Sequence, residues 1–225
     1  AEVATAKETE PEAAVAAAED AAADTEKAAE PAVEQTPATA AASVVPAPMR
    51  PIVQLFGIPY VQLLGNVEIH GARGPEPRTA TMSHTARATE LIAFLALHGP
   101  ATAVDVHAAL WPGKDPRGDS AQKSRNGLTS RARRWLGKTN EGEEFVPKVG
   151  TQGYRLHSEV RSDWDVWREL VTPDPASADT TDLVQAMHLV KGQPFSGVAE
   201  RRYVWAERIR TEMIAEIADA AHELA

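Results

Sequence analysis

The sequence predicts an α+β fold followed by an all-α one, on three observations. A strongly basic amphipathic helix around Ser124 to Gly137 is followed closely by two short strand-forming runs with a glycine-flanked tip between them. Apolar and β-branched runs open the ordered part of the chain, and beyond residue 158 the apolar residues recur only at helical spacing.

The first 50 residues are Ala, Glu, Pro and Thr with almost no large apolar side chains, so they cannot bury enough surface to offset the entropy of ordering. They are expected to be a disordered, acidic linker. Order is expected from about Pro51. Ile52 to Phe56 and Val61 to Ile69 have strand character, Gly65-Asn66 punctuates the second as a tight turn, and together they predict an N-terminal antiparallel sheet.

Thr85 to His98 follows as a helix, with Ala88, Leu91, Ile92, Leu95 and Ala96 on one face and Gly99-Pro100 closing it. A short helix from Ala103 to Leu110 ends at Trp111-Pro112-Gly113, and a charged loop from Lys114 leads to the basic helix, with Asp119 or Ser120 as its expected N-cap. At 100° per residue, Leu128, Ala132, Trp135 and Leu136 share one face of that helix, while Lys123, Asn126, Ser130, Arg133 and Arg134 spread over the other. Arg125 projects nearer the packed face and Arg131 lies on the flank. Phe145 to Val149 and Gly153 to His157, joined by Gly150-Thr151-Gln152, predict a hairpin.

Sheet, two helices, basic helix and hairpin, in that order, describe a winged helix-turn-helix over residues 51–158. Residues 159–225 read as an all-α helical-hairpin domain. Asp163 is the expected cap of a helix holding Trp164, Trp167, Leu170 and Val171; a second carries Leu183, Ala186, Met187 and Val190 as far as Gly192; a third runs from about Arg201 to Leu224. The chain starts without methionine and ends within the last of these, so it is expected to be a piece of a longer protein.

Charge sharpens the functional expectation. The chain carries a formal −9, but residues 1–45 hold ten acids and two lysines, a net −8, whereas Lys114 to Lys138 hold eight bases and two acids, a local +6. A basic island on a near-neutral fold is an electrostatic footprint for nucleic acid. The absence of cysteine excludes disulfides, thiolate nucleophiles and cysteine-based zinc sites. No run approaches the ~18 apolar residues of a membrane span and no signal peptide opens the chain, so no membrane contact and a cytoplasmic location are expected.

These residues resemble a known family. Leu63-Leu64-Gly65-Asn66-Val67-Glu68-Ile69, the helix from Arg87 to His98, Ala109-Leu110-Trp111-Pro112, Ser130 to Gly137 and Gly153-Tyr154-Arg155-Leu156 are similar to the OmpR-like winged helix of SARP-type actinobacterial transcription regulators. Asp165-Val166-Trp167, Val190 to Phe195 and Trp205-Ala206-Glu207 resemble the bacterial transcriptional activator domain that follows it there. The resemblance spans about residues 60–225 and lies in the order of several moderate motifs. It implies a basic helix in the major groove, a wing on the adjacent minor groove or backbone, and a loop before the recognition helix able to meet RNA polymerase. Carried over residue by residue, it implies DNA contact from Lys123, Arg125, Asn126, Ser130, Arg133 and Arg134, and wing contact from Lys148, Thr151 and Gln152; the flanking Arg131 joins these as a candidate DNA contact. Two positions depart from the pattern: Ala132 stands where a bulky aliphatic residue is usual, and Gly127 sits inside the helix at a cost of about 1 kcal/mol against alanine.

Arginine suits such a face because its planar fork takes guanine O6 and N7 together, and asparagine can read adenine in the same bidentate way. The five tryptophans fall on apolar helix faces or at a helix end and are expected in the core, and Tyr154 is expected in the core or as a cap. The seven histidines show no metal-ligand spacing, and there is no phosphate loop, dinucleotide turn or serine elbow, so neither an enzyme nor a cofactor, metal or small-molecule ligand is expected. The expectation is a sequence-dependent DNA-binding regulator, acting on double-stranded DNA as two copies on paired half-sites. The alternative is a winged-helix scaffold that binds protein and no DNA.

Overall fold

A computed structural model describes residues 58–77, 83–199 and 201–225. The linker expected over 1–50 and the strand expected at 52–56 lie outside the described residues. Among these residues no helix is long and apolar enough to cross a membrane.

The run 61–69 resolves into two strands, β1 (Tyr60–Gln62) and β2 (Glu68–His70), paired antiparallel with Val61 opposite Ile69. The sheet is not purely antiparallel as expected. A third strand, β3 (Arg161–Ser162), joins β1 in parallel, giving the order β2-β1-β3. Two residues a hundred positions away carry no strand pattern of their own, and their pairing is supported by the adjacent Asp163, whose carboxylate bonds the Leu63 and Leu64 N–H groups just past β1.

α1 (Ser83–His98) buries Ala88, Leu91, Ile92 and Leu95 as its spacing requires. α2 (Ala103–Leu110) opens on a capping box, in which Thr102 Oγ1 accepts from the Asp105 N–H and Asp105 accepts back from the Thr102 N–H. α3 (Asp119–Leu136) packs on α1 through Leu128, Ala132 and Leu136, all buried. Its N-cap is Gly118, without a side-chain cap, and neither Asp119 nor Ser120 takes that place; Asp119 instead puts a carboxylate in the first turn, where the helix dipole favours it. Gly137 ends the helix at φ 83°, with its Cα against Arg73, where a Cβ would stand 2.9 Å from that side chain.

The predicted hairpin follows the expected path without forming a ladder. Gly150 and Gly153 bridge at the tip and the His157 N–H donates to the Phe145 carbonyl, but Tyr154 exchanges both backbone bonds with Ala101. Pro147 has no N–H to offer, and the Val146 and Pro147 carbonyls are taken by Arg133. The first arm is thus held by a side chain of α3.

α4 (Asp163–Leu170) begins with a second capping box, Ser162 with Asp165. Ser162, not Asp163, is the cap. Asp163 turns inward, 2% exposed, and its carboxylate accepts from the Leu63 and Leu64 N–H groups at 2.8–2.9 Å. Further backbone bonds run from Lys191 to Leu64, Phe195 to Leu63 and Ser196 to Gly65, so the segment after α5 (Thr180–Leu189) is fastened to the same turn. α4 packs on α5, and α5 on α6 (Glu207–Glu223).

The last helix starts later than its apolar spacing implies. Arg201 and Tyr203 have positive φ, Val204–Ala206 form a 3-10 turn, and only then does α6 begin. Glu90, on α1 and 1% exposed, accepts the Tyr203 N–H at 3.1 Å, while Trp205 sits edge-on to Phe94. Those contacts fix the chain before it can coil. One apolar core runs from Val61 and Leu91 through Trp135 and Phe145 to Trp167 and Met213. Trp135, Trp164, Trp167 and Tyr154 are buried as expected, and Trp111 and Trp205 are half-buried in ring contacts.

Candidate nucleic-acid interface

The amphipathic character of α3 sorts its polar residues into two groups. Gln122, Lys123, Asn126, Ser130 and Arg134 are all exposed. Gln122, Asn126, Ser130 and Arg134 follow one another at four-residue spacing and so form a line along one side of the helix. Arg131 is half-buried on the flank, and its Nη2 lies 3.9 Å from where a Gly127 side chain would begin.

Two arginines go elsewhere. Arg125, 7% exposed, donates through Nη1 to the Pro116 carbonyl at 2.9 Å and lies 3.3 Å from His107 Nδ1, tying α3 to α2 and to the loop between them. His107 stacks on Trp111; burial first, then the Arg125 charge, hold its pKa below the ordinary imidazole value. Arg133 donates to the Val146 carbonyl at 2.7 Å and the Pro147 carbonyl at 3.0 Å and pairs with Glu144 at 2.9 Å. Both guanidiniums bond backbone carbonyls of neighbouring elements.

A depression of about 640 Å³ separates α3 from the hairpin tip. Gln122, Arg125 and Asn126 line it from α3 and Thr151 and Gln152 from the hairpin tip, with Pro100 to Ala103 at the start of α2 also in its lining. The structure therefore brings Arg125, Asn126, Thr151 and Gln152 to one depression. Lys148 is exposed but lines a different hollow, on the Glu143 and His157 side of the hairpin. Gln122, absent from the sequence expectation, joins the group; its signal was the four-residue step to Asn126. Among the described residues no cluster of three or more His, Asp or Glu side chains could hold a metal ion.

An exposed helix face with amides, a hydroxyl and a lysine, flanked by an arginine and a polar loop tip, offers hydrogen-bond donors and acceptors on an α-helix, an element that a DNA major groove of about 12 Å admits.

No protein-family model matches the chain, and no curated protein sequence matches it. Among solved structures it is similar to Mycobacterium tuberculosis EmbR in complex with a low-affinity phosphopeptide, at 18% identity and a TM-score of 0.54. The likeness covers 73% of this chain and 43% of that one, so this chain spans less than half of the EmbR length. At that identity the likeness is one of fold, and on that ground the architecture is EmbR-like.

Proposed function

We propose that this chain is a sequence-dependent DNA-binding transcription regulator. The observation that carries the reading is the exposed line Gln122, Asn126, Ser130, Arg134 on α3, set beside Thr151 and Gln152 across one depression. α3 enters the major groove, Lys123 and Arg134 neutralise phosphates, and the tip at Thr151 and Gln152, with Lys148 behind it, meets the adjacent groove or backbone. Arg125 and Arg133 hold the reading elements in place. Arg131 reaches a phosphate from the flank.

The resemblance to SARP-type regulators and the EmbR-like fold support this reading, as does the local +6 between Lys114 and Lys138. On this reading residues 51–158 handle DNA, while 159–225 serve self-association or signal reception. Two copies on paired half-sites supply the affinity that one helix and one tip lack. The exposed loop before α3, with Lys114 and Arg117, is the surface offered to RNA polymerase.

The test is a fluorescence-anisotropy titration of the full chain with duplex DNA at several salt concentrations. Binding whose logarithm falls steeply with the logarithm of salt, with a slope of about −0.9 per neutralised phosphate, is expected. Lys123→Ala and Arg134→Ala should each lower that slope by about 1. No binding at low salt would reject the reading in favour of a protein scaffold.

A further inference from the structure

We infer that the DNA site of this chain carries adenine, not guanine, at the major-groove positions facing the first half of α3, read by Gln122 and Asn126. The inference rests on the DNA-binding reading above and says what that surface recognises.

The chemistry is set by which side chains are free. Guanine is read in the major groove chiefly by a guanidinium fork or an ammonium on O6 and N7, and adenine by an amide that accepts from N6 and donates to N7. In the first half of α3 the guanidinium belongs to Arg125, which is 7% exposed and bonded to the Pro116 carbonyl. Arg133, further along, is held by two hairpin carbonyls and Glu144. Arg125 reaches the lining of the depression, but it is buried and its Nη1 is spent on Pro116, so the exposed α3 side chains on that wall are a pair of primary amides, Gln122 and Asn126.

Lys123 lies beside that wall and not on it, Arg131 lies back along the flank near Gly127, and Arg134 stands two turns beyond Asn126 in the last turn of the helix. These three are placed for phosphates. Amides one helical turn apart are separated by about 6 Å, which spans one to two base steps of about 3.4 Å. The two contacts therefore fall within a single short A·T-containing element.

The test is selection of a random duplex pool on the full chain, followed by anisotropy with the winning duplex. Two adenines one or two steps apart are expected. Asn126→Ala should relax preference at one of them and Gln122→Ala at the other, each by about tenfold or more. Replacing the contacted adenine by 7-deazaadenine, which lacks N7, should weaken wild type and leave the matching variant unaffected. Both side chains are exposed, and unchanged melting of the variants checks that the fold is intact. A selected motif with guanine at these positions, or one that neither substitution alters, overturns the inference while leaving a DNA-binding regulator. Absence of binding to any duplex at low salt overturns the regulator reading, and the inference with it.

Discussion

Arg133 and Arg134 are neighbours in sequence with opposite roles. Arg134 is exposed, whereas Arg133 satisfies two carbonyls of a hairpin arm that has no strand partner. Hydrogen bonds from a charged donor contribute about 1.5–3 kcal/mol each, and carbonyls left unpaired add to the loss. Arg133→Ala should therefore lower stability by about 2 kcal/mol in urea melts, while Arg134→Ala should stay within about 0.5 kcal/mol of wild type. Equal melts would show that Arg133 does not brace the hairpin. Gly127 presents the reverse case. A Cβ there would meet only Arg131 Nη2 at 3.9 Å, so the fold does not require glycine. Gly127→Ala should stabilise α3 by about 1 kcal/mol. If the same change also weakens DNA binding, the missing side chain serves close approach to DNA; unchanged affinity leaves it without a role there. The outward positions Lys123, Asn126, Ser130 and Arg134 were legible from periodicity alone. The commitment of Arg133 was not, because a helical wheel assigns direction from polarity and cannot see carbonyls waiting on the next element.

At the scale of elements, the helices best foretold by the chain pattern were those whose apolar faces and stop signals agree. α2 ends where Trp111-Pro112 requires, and α1 ends at Gly99-Pro100. The hairpin and the last helix departed from expectation because tertiary partners overrode local preference: Ala101 took Tyr154, and Glu90 took Tyr203. Glu90 was invisible for an instructive reason. A carboxylate within an amphipathic helix ordinarily marks the wet side, yet this one is 1% exposed and bonds Arg87 Nη1 at 3.0 Å as well as the Tyr203 N–H. Arg87 in turn donates to the Leu110 carbonyl and lies over the Trp111 ring, so the group joins α1, α2 and the turn before α6. Removing one partner of such a buried pair leaves the other uncompensated. Glu90→Ala should cost about 3 kcal/mol, and Glu90→Gln less, because the amide oxygen still accepts from Tyr203. Denaturant midpoints of the two variants decide it: a Gln variant as damaged as the Ala variant would mean that the charge, not the acceptor for Tyr203, holds the junction.

For the whole molecule, the decisive contacts are long in sequence and have no local signature. β3 pairs with β1, and Asp163 grips the Leu63-Leu64 turn that Lys191 and Phe195 also hold, so one short loop near the start of the described chain organises elements from α4 to the end of α5. Asp163 also makes the fold sensitive to pH. Burial pushes its carboxyl up to about 6 from an ordinary 3.8, against the backbone N–H groups of Leu64 and Leu63, which favour the ionised form. With the folded value above the unfolded one, the native state binds the extra proton between about pH 4 and 6. The stability this group contributes is complete below the unfolded value and is lost as pH rises through about 6, at up to about 1.4 kcal/mol per pH unit. His98 and His107, held below their ordinary 6.5 by burial, act in the opposite sense in the upper part of that window, stability rising with pH as they lose their protons. Asp105, held low by Thr102, has its window below 3.8 and leaves this range alone. The measurement is therefore a difference: urea unfolding of wild type and Asp163→Asn at half-unit steps from pH 4 to 7. Asparagine carries no charge to lose and replaces one acceptor by a donor, so the variant should be less stable throughout. Its deficit should be largest at pH 4 and shrink as pH approaches 6. A deficit that grows with pH instead would mean that the backbone bonds outweigh burial and that Asp163 is ionised in the fold across the whole range.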